Sequence, residues 1–272
     1  MTAIEPTTAA PFALFDSHCH LDLPEFSNDW QATWRHANAV GVKAVLIPAV
    51  EEAAWPRLLQ FKQQPAVEIA LGIHPWWARQ HTATSLSSLE TLLNQHMTEV
   101  CAIGEIGLDF ALEANTFKQQ EMLFSGQLAL AETLGKPVIL HHRKSMPALL
   151  AEIKRQKFRH GGILHAFSGS AEQGMAFIEL GFKLGIGGTI TYPRSRKTQA
   201  AVARLPLSAF VIETDAPTMP LHGFQGQRNE PAQLPLVFAA LCALRTEPPA
   251  FIAEQLWQNT RLALKLSPSA AN

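Results

Sequence analysis

His18 and His20 are the residues whose type and spacing first suggest chemistry. They lie two positions apart, just after the first apolar run, Phe12–Phe15. Successive side chains of a β-strand point to opposite faces, so histidines at i and i+2 project together and can present two imidazoles to one metal ion. Two-residue motifs often occur by chance, so the pair is weak evidence without further ligands nearby.

Further residues of ligand type follow other β-rich runs. Six such residues lie at or just beyond five strand ends: His18, His20, Glu105, His141, His165 and Asp215. Imidazole and carboxylate ligands suit divalent zinc, manganese, magnesium or iron. Six ligands are too many for one tetrahedral ion, but they fit two ions that share a bridging carboxylate. The sequence therefore predicts a centre of two divalent metal ions.

Six ligands can be divided between two ions if one carboxylate is shared. Glu105 is the predicted bridging carboxylate. His18, His20 and Asp215 would complete one ion, and His141 and His165 the other.

The elements that must position these residues are short β-rich runs with helical patterns between them. Eight runs recur: Ala13–Cys19, Lys43–Pro48, Val67–Gly72, Val100–Glu105, Pro137–His141, Gly162–His165, Phe182–Ile186 and Ala209–Glu213. Their spacing leaves room for a helix and two loops in each interval. Asn28–Val40 and Thr116–Leu134 carry apolar residues at helical spacing and are followed by Gly41 and Gly135, as helix ends often are.

Eight such units predict a (β/α)8 TIM barrel, an α/β fold, and an open doubly wound sheet is the alternative. Polar candidates lie at strand ends throughout the chain, which favours a barrel because all its strands end at one mouth. An open sheet would concentrate its site at one switch point. We expect residues 1–12 to be a disordered lead-in, 13–267 a single catalytic barrel domain and 268–272 a tail.

Composition limits the class of protein. The 272 residues are 47% hydrophobic and carry a formal net charge of −1. Nucleic acid would therefore be bound by a local site or by metal ions rather than by a generally basic surface.

The expected compartment follows from other features of the sequence. The first residues lack the features of a secretory signal, and no apolar run is long enough to cross a membrane. Three cysteines without C-x-x-C spacing suggest a reducing compartment. We expect a cytoplasmic enzyme without a membrane association or an obligate protein partner.

Eight motifs carry a resemblance that runs nearly end to end. They are F-D-S-H-C-H-L-D (Phe15–Asp22), G-I-H-P-W (Gly72–Trp76), I-G-E-I-G-L-D-F (Ile103–Phe110), K-Q-Q-E (Lys118–Glu121), P-V-I-L-H-H-R (Pro137–Arg143), L-H-A-F-S-G (Leu164–Gly169), E-T-D-A-P (Glu213–Pro217) and R-N-E-P (Arg228–Pro231). With these motifs the chain resembles the TatD family of metal-dependent hydrolases, in its YjjV-like branch.

The resemblance implies a TIM barrel, a two-metal centre and, from the better-known members, metal-dependent deoxyribonuclease activity. It places metal ligands at the same six residues. Only one of the adjacent His141 and His142 can face the interior of a strand-built barrel, and the family register selects His141. We expect Asp22 and Asp109 to support the centre from outside it.

Three residues outside the ligand set are candidates for substrate binding. His74 could donate a hydrogen bond to a phosphate oxygen, although a buried packing role is equally compatible with its position before Pro75 and Trp76. Arg143 lies two residues past His141, where its guanidinium could clamp a phosphate. Arg194 begins the basic run R-S-R-K and could contact a phosphate backbone.

The leading hypothesis is a phosphodiesterase that cleaves DNA with a hydroxide activated by two metal ions. Glu105 and Asp215 are the predicted catalytic residues, and Asp215 would also accept the proton of the attacking water. The alternative is a hydrolase of a small-molecule ester, amide or phosphoester with the same centre, because fold and metal fix the reaction type more firmly than the substrate. A binding protein with a structural metal is less compatible, because a site at a barrel mouth keeps open coordination positions.

Overall fold

The eight strands form one parallel sheet in which each strand pairs with the next along the chain. The computed structural model describes residues 12–266. Its strands are β1 Leu14–Asp16, β2 Val42–Pro48, β3 Val67–Leu71, β4 Val100–Asp109, β5 Val138–Arg143, β6 Gly162–Leu164, β7 Phe182–Ile186 and β8 Phe210–Ile212.

Helices alternate with these strands. Within residues 12–266 the α-helices are α1 Trp30–Ala39, α2 Trp55–Phe61, α3 Ala83–Gln95, α4 Phe117–Leu134, α5 Met146–Gln156, α6 Ala171–Ile178, α7 Arg196–Arg204, α8 Leu234–Cys242 and α9 Pro249–Ala263. Among these helices, none combines the length and the apolar character that crossing a lipid bilayer requires.

Backbone hydrogen bonds join the last strand to the first. The Ser17 N–H donates to the Ile212 carbonyl at 3.0 Å, and the Asp215 N–H donates to the His18 carbonyl at 2.9 Å. These contacts bring the two sheet edges together. The predicted (β/α)8 barrel is thereby confirmed, and the open sheet is excluded.

The predicted element boundaries differ most at the strands that carry the site. β4 and β5 continue to Asp109 and Arg143, whereas the expected ends were Glu105 and His141. Gly107 allows this extension: its φ is +145°, and a Cβ there would lie 2.1 Å from the His141 carbonyl oxygen of the paired strand. Conversely, β1 ends at Asp16 rather than at the expected Cys19.

Both ends of the chain lie largely outside the described residues. The predicted lead-in, residues 1–12, falls within the described part only at Phe12, whose ring packs edge-on against Phe238 at 5.8 Å. The predicted tail, residues 268–272, lies entirely outside that part.

The interior of the barrel is apolar at the amino-terminal ends of the strands. One buried cluster collects inward-facing strand residues together with the end of α9: Phe15, Leu46, Ala70, Ala102, Ile139, Ile163, Val211, Ala263 and Leu264. Helix α9 therefore covers this opening of the barrel. A separate and larger core lies between the strands and the surrounding helices.

The inward-facing residues change from apolar to polar along the strands, and we call the apolar cluster at the amino-terminal ends the floor of the barrel. Ile139 and Ile163 belong to the floor, so His141 and His165, two positions later, face the same interior at the carboxyl ends of β5 and β6. Ala70 of β3 belongs to the same cluster, and His74 follows it by four positions, beyond the end of the strand. The strands thus direct these imidazoles to one place.

Asn259 supplies a test of how α9 holds the barrel. Its buried side-chain amide donates to the carbonyls of Leu207 and Phe210 at 2.9 and 2.7 Å, just before β8. Asn259→Ala would leave both carbonyls buried without these donors, so we expect the free energy of unfolding to fall by about 2 kcal/mol or more. Chemical denaturation measures this. The exposed neighbour variant Gln258→Ala should stay within about 0.5 kcal/mol of the parent, and equal effects of the two substitutions would contradict the assignment.

Candidate metal centre

Glu105 reaches the barrel interior because the ladder between β4 and β5 is irregular. Ala102 faces inward, so strict alternation would direct Glu105 outward. The pairing register shifts between Ile103 and Ile106, as it does at a β-bulge, and this turns the carboxylate inward. At Gly104 a Cβ would lie 2.6 Å from the Cβ of Ile139, so glycine permits the close approach of the two strands.

One carboxylate oxygen of Glu105 faces three imidazoles. Its Oε1 lies 2.9 Å from His165 Nε2, 3.0 Å from His141 Nδ1 and 3.4 Å from His74 Nε2. The three rings come from the ends of β6, β5 and β3, respectively. Oε1 of Glu105 therefore lies close to residues from three different strands.

The other oxygen of Glu105 faces the segment after β1. Its Oε2 lies 3.1 Å from His18 Nε2 and 3.5 Å from His20 Nε2. Asp215, beyond β8, completes this group, because its Oδ1 is 3.6 Å from each of the same two nitrogens. The segment is held in place by ladder-like bonds, in which the Cys19 N–H donates to the Leu46 carbonyl at 3.0 Å.

The six residues predicted as ligands thus lie in one pocket. Three sets of side chains there lie close enough together to hold a metal ion, and Glu105 belongs to two of them: His18, His20 and Asp215; His18, Glu105 and His165; and His74, Glu105 and His141. The nitrogens of His18 and His20 face each other at 3.0 Å. Imidazole nitrogens and carboxylate oxygens that converge at such distances have the donor chemistry of a site for divalent ions.

The far nitrogens of three rings face oxygen atoms. His20 Nδ1 lies 3.2 Å from the Pro48 carbonyl, His165 Nδ1 lies 3.4 Å from Glu213 Oε1, and His141 Nε2 lies 3.5 Å from Asp109 Oδ2. An acceptor behind an imidazole favours a proton on the far nitrogen and leaves the nitrogen facing the pocket free to bind a metal. Asp109 and Glu213, both buried, therefore orient two of the imidazoles.

His74 has the opposite arrangement. Its Nδ1 accepts a hydrogen bond of 3.1 Å from the Trp76 backbone N–H. Burial, together with nearby His141, lowers the pKa of His74 to about 4, so the ring is neutral near pH 7 and carries its proton on Nε2. That nitrogen faces the pocket as a donor. The contact with Trp76 therefore separates His74 from the three rings backed by an oxygen, and it fits the predicted binding role better than a ligand role.

Asp215 is held in a strained conformation by the loop after β8. Its φ is +55°, which is uncommon for a residue other than glycine. Asn229, fully buried, donates to the carbonyls of Thr214 and Thr218 on either side, both at 2.8 Å, and the Thr218 hydroxyl donates to Asp215 Oδ2 at 2.8 Å. Asn229 is not among the residues predicted from the sequence, although its place in R-N-E-P was a usable signal.

Asp16 is a second supporting residue that sequence reasoning missed. It is fully buried and accepts hydrogen bonds from the Thr214 hydroxyl at 2.6 Å, the Thr214 N–H at 3.0 Å and the His18 N–H at 3.3 Å. Burial raises the pKa of Asp16 to about 8, although the hydrogen bonds with Thr214 act in the other direction. Asp16 thereby fixes the segments that carry His18 and Asp215 relative to each other.

Some imidazoles of the pocket favour the protonated form when no metal is bound, whereas burial lowers the pKa of His18. Burial lowers the pKa of His20, but hydrogen bonds with Asp215 and Glu105 outweigh it and raise the pKa to about 10. His165 is raised well above its usual pKa, mainly by Glu105 against the cost of burial. Although burial opposes it, the surrounding imidazoles hold the pKa of Glu105 well below its usual range. A metal ion would replace these protons.

The two predicted binding arginines lie outside the cluster. Arg143 is exposed at the end of β5, opposite Asp109 in the ladder. Arg194 is exposed between β7 and α7, with its guanidinium carbon 4.8 Å from the centre of the Tyr192 ring. The rest of the predicted basic loop belongs to the first turn of α7, which begins at Arg196. Both arginines nevertheless follow carboxyl ends of strands.

Comparison with known proteins agrees with this geometry. The family model described as TatD related DNase matches residues 15–265. The chain belongs to the TatD family. It is 44% identical over 247 residues to an uncharacterized metal-dependent hydrolase, YjjV, of Escherichia coli K12, covering 90% of this chain and 95% of the relative. The predicted resemblance is therefore confirmed.

A second relative and a solved structure support the same assignment. A protein of Edwardsiella piscicida named 3′-5′ ssDNA/RNA exonuclease TatD is 30% identical over 262 residues, which cover 93% of this chain and all of that protein. The crystal structure of E. coli YjjV superposes with a TM-score of 0.89 at 42% identity, covering 93% of this chain and 98% of that one. The family and these relatives make the chain a metal-dependent hydrolase.

Metal binding should depend on pH in a defined direction. Because the pKa values of His20 and His165 are raised, both rings hold protons at neutral pH until a metal displaces them. We expect Zn²⁺ or Mn²⁺ affinity to increase from pH 6 to 8, with net release of about one proton or more per protein. Calorimetric titration in buffers of different ionisation enthalpy measures the release. Affinity that stays constant over this range, without proton release, would contradict the assigned protonation.

Proposed function

We propose that this TatD-family hydrolase is a phosphodiesterase that acts on DNA through two divalent metal ions. The observation that carries the proposal is the contact of one buried carboxylate, Glu105, with both groups of candidate ligands. A shared carboxylate is what two adjacent ions require. The family description and the nuclease names of its TatD relatives support a nucleic-acid substrate.

The proposed ligands are divided between the two ions as follows. His18, His20 and Asp215 would hold one ion, His141 and His165 the other, and Glu105 both. When bound, such ions supply a nucleophile at neutral pH and stabilise negative charge that develops on the phosphate. Acceptance of the proton and binding of the phosphate are the proposed roles of side chains.

Asp215 is the proposed acceptor of the proton from the attacking water. Its side chain is 12% exposed, against 3% for Glu105, so water entering from the mouth reaches Asp215 more readily. Although burial opposes it, the hydrogen bond with His20 and the other imidazoles keep the pKa of Asp215 below its usual range, so the side chain is a carboxylate near pH 7. Thr218 holds Oδ2, which leaves Oδ1 toward the pocket.

His74 and the two arginines are the proposed phosphate-binding residues. The Nε2–H of His74 faces the pocket beside Glu105, where a neutral donor can bind a phosphate oxygen without displacing a metal. Arg143 offers a planar, permanently charged guanidinium at the end of β5, and Arg194 offers another after β7. Local positive charge at the mouth would compensate for the near-zero net charge of the chain.

Asp215→Asn tests the proposed proton acceptor, and the metal content of the variant reports any effect on the ion that Asp215 would hold. We expect kcat for bis(p-nitrophenyl) phosphate and for single-stranded oligonucleotides to fall about 10²–10⁴-fold, because the amide cannot accept the proton. Glu105→Ala should abolish turnover and also remove bound metal, because it takes away the contact between the two groups. Steady-state kinetics with metal analysis of each purified variant make the comparison.

Thr91→Ala is a suitable control for these variants, because this exposed residue on α3 bonds only within its own helix. It should keep the activity and metal content of the parent. Hydrolysis that survives in Glu105→Ala with normal metal content would eliminate the proposed centre. A parent enzyme that turns over carboxylic esters or amides but no phosphodiester would instead leave the centre in place and replace the substrate class.

Arg143→Ala tests the proposed phosphate clamp. We expect the KM for a phosphodiester to rise about tenfold with a smaller change in kcat, and Arg143→Lys to recover only part of the loss, because an ammonium cannot bind two oxygens in one plane. Arg159→Ala is the matched control, since this exposed arginine pairs with Glu132 before β6, at the opposite end of the barrel. An unchanged KM in Arg143→Ala would remove Arg143 from the substrate site.

A further inference from the structure

Trp76 is a large apolar side chain left exposed beside the metal centre. It lies in the 3-10 segment Pro75–Gln80 after β3, two residues past His74, and 57% of its surface is accessible. Most tryptophans are largely buried, so an exposed indole at the mouth of an active site needs a reason.

The indole is held in place rather than free. Its Nε1–H donates to Asp109 Oδ2 at 2.8 Å, and the same oxygen lies 3.5 Å from His141 Nε2. Asp109 is itself fixed, because it is fully buried and its Oδ1 accepts a hydrogen bond from the Ala111 N–H at 2.9 Å. One carboxylate oxygen therefore links the ring edge to an imidazole of the centre.

The faces of the ring are not used by another stacked ring. Within residues 12–266 its aromatic neighbour is His74, whose plane is perpendicular to it at a centroid distance of 5.3 Å. Because the N–H edge is bonded to Asp109 and more than half of the residue is accessible, the indole keeps surface for a further contact.

A positive charge is carried by the residue paired with the one that holds the indole. Arg143 stands opposite Asp109 in the ladder between β4 and β5, and Asp109 holds the Trp76 edge. A phosphate bound between Arg143 and the centre would leave the group attached to it, separated by a sugar, within reach of the indole. Flat aromatic groups that accompany a phosphodiester in this way are the bases of nucleic acids.

We propose that Trp76 is the stacking platform for an unpaired base of the nucleic-acid substrate, next to the phosphate that is cleaved. This inference rests on the proposed phosphodiesterase function and deepens it, because it selects single-stranded nucleic acid over phosphodiesters without a base. A base paired inside a duplex cannot offer its face to the ring. Stacking on one aromatic side chain tolerates any base, so the platform gives affinity without sequence preference.

The test measures binding and cleavage separately. Fluorescence anisotropy with Mn²⁺ follows the affinity for a labelled single-stranded oligothymidylate and for a set of oligomers in which one abasic nucleotide is moved from position to position. In the parent protein, one abasic position should weaken binding about tenfold. Trp76→Ala should bind the intact oligomer about tenfold more weakly and should lose the sensitivity to that abasic position.

Two variants separate stacking from other effects of the substitution. Trp76→Phe keeps a ring but loses the N–H to Asp109, and it should retain most of the affinity. Phe251→Ala removes a ring that is 55% exposed on α9, the helix that covers the other end of the barrel, and it should bind like the parent.

The possible results are distinguishable. Equal loss of affinity for intact and abasic oligomers in Trp76→Ala would overturn the platform, because the ring would then act only through Asp109. An unchanged affinity, or a parent protein that binds no oligomer, would overturn it as well. Base-dependent binding without any release of nucleotides in the parallel cleavage assay would support the platform and reject the proposed phosphodiesterase instead.

Discussion

The buried carboxylate of Glu105, surrounded by imidazoles from both halves of the barrel, is the constraint on which the site depends. Five histidine nitrogens lie within 3.5 Å of its two oxygens. A buried charge without such partners would cost far more than the fold could offset. Protons on the imidazoles meet this requirement when no metal is bound, and divalent ions would meet it in their place. The buried negative charge of Glu105 is energetically unfavourable on its own, and for this reason the pocket favours the binding of cations.

The surrounding structure serves to hold that carboxylate and its partners in position. A register shift in the ladder between β4 and β5 turns Glu105 inward, and α9 fills the barrel below it with apolar side chains. Asp16 ties the end of β1 to Thr214 after β8, and Asn229 holds the segment on both sides of Asp215. The bond between Thr214 and Asp16 joins residues 198 positions apart in the chain, so the contact between the last strand and the first also positions the site.

Much of this arrangement could be predicted from the sequence, because periodicity and spacing report local structure. Strand spacing indicated the barrel, and ligand-type residues at strand ends indicated the pocket in which Glu105 and the histidines meet. Other features depend on contacts that spacing does not encode. The sequence placed Glu105 at a strand end, whereas β4 continues four residues beyond it because Gly107 permits close pairing with β5. The proton position on His74 depends on a backbone N–H of Trp76, and it becomes visible only when the turn after β3 is built.

The division of the histidines into two kinds links structure to chemistry. Rings backed by an oxygen can present a bare nitrogen to a metal, whereas the ring backed by an N–H presents a proton to a substrate. Metal-loaded crystals, measured at the absorption edge of Mn²⁺ or Zn²⁺, test this account most directly. It predicts two anomalous peaks that flank Glu105, one bound by His18, His20 and Asp215 and the other by His141 and His165, with His74 bound to neither. A single ion, or ions bound away from Glu105, would contradict it.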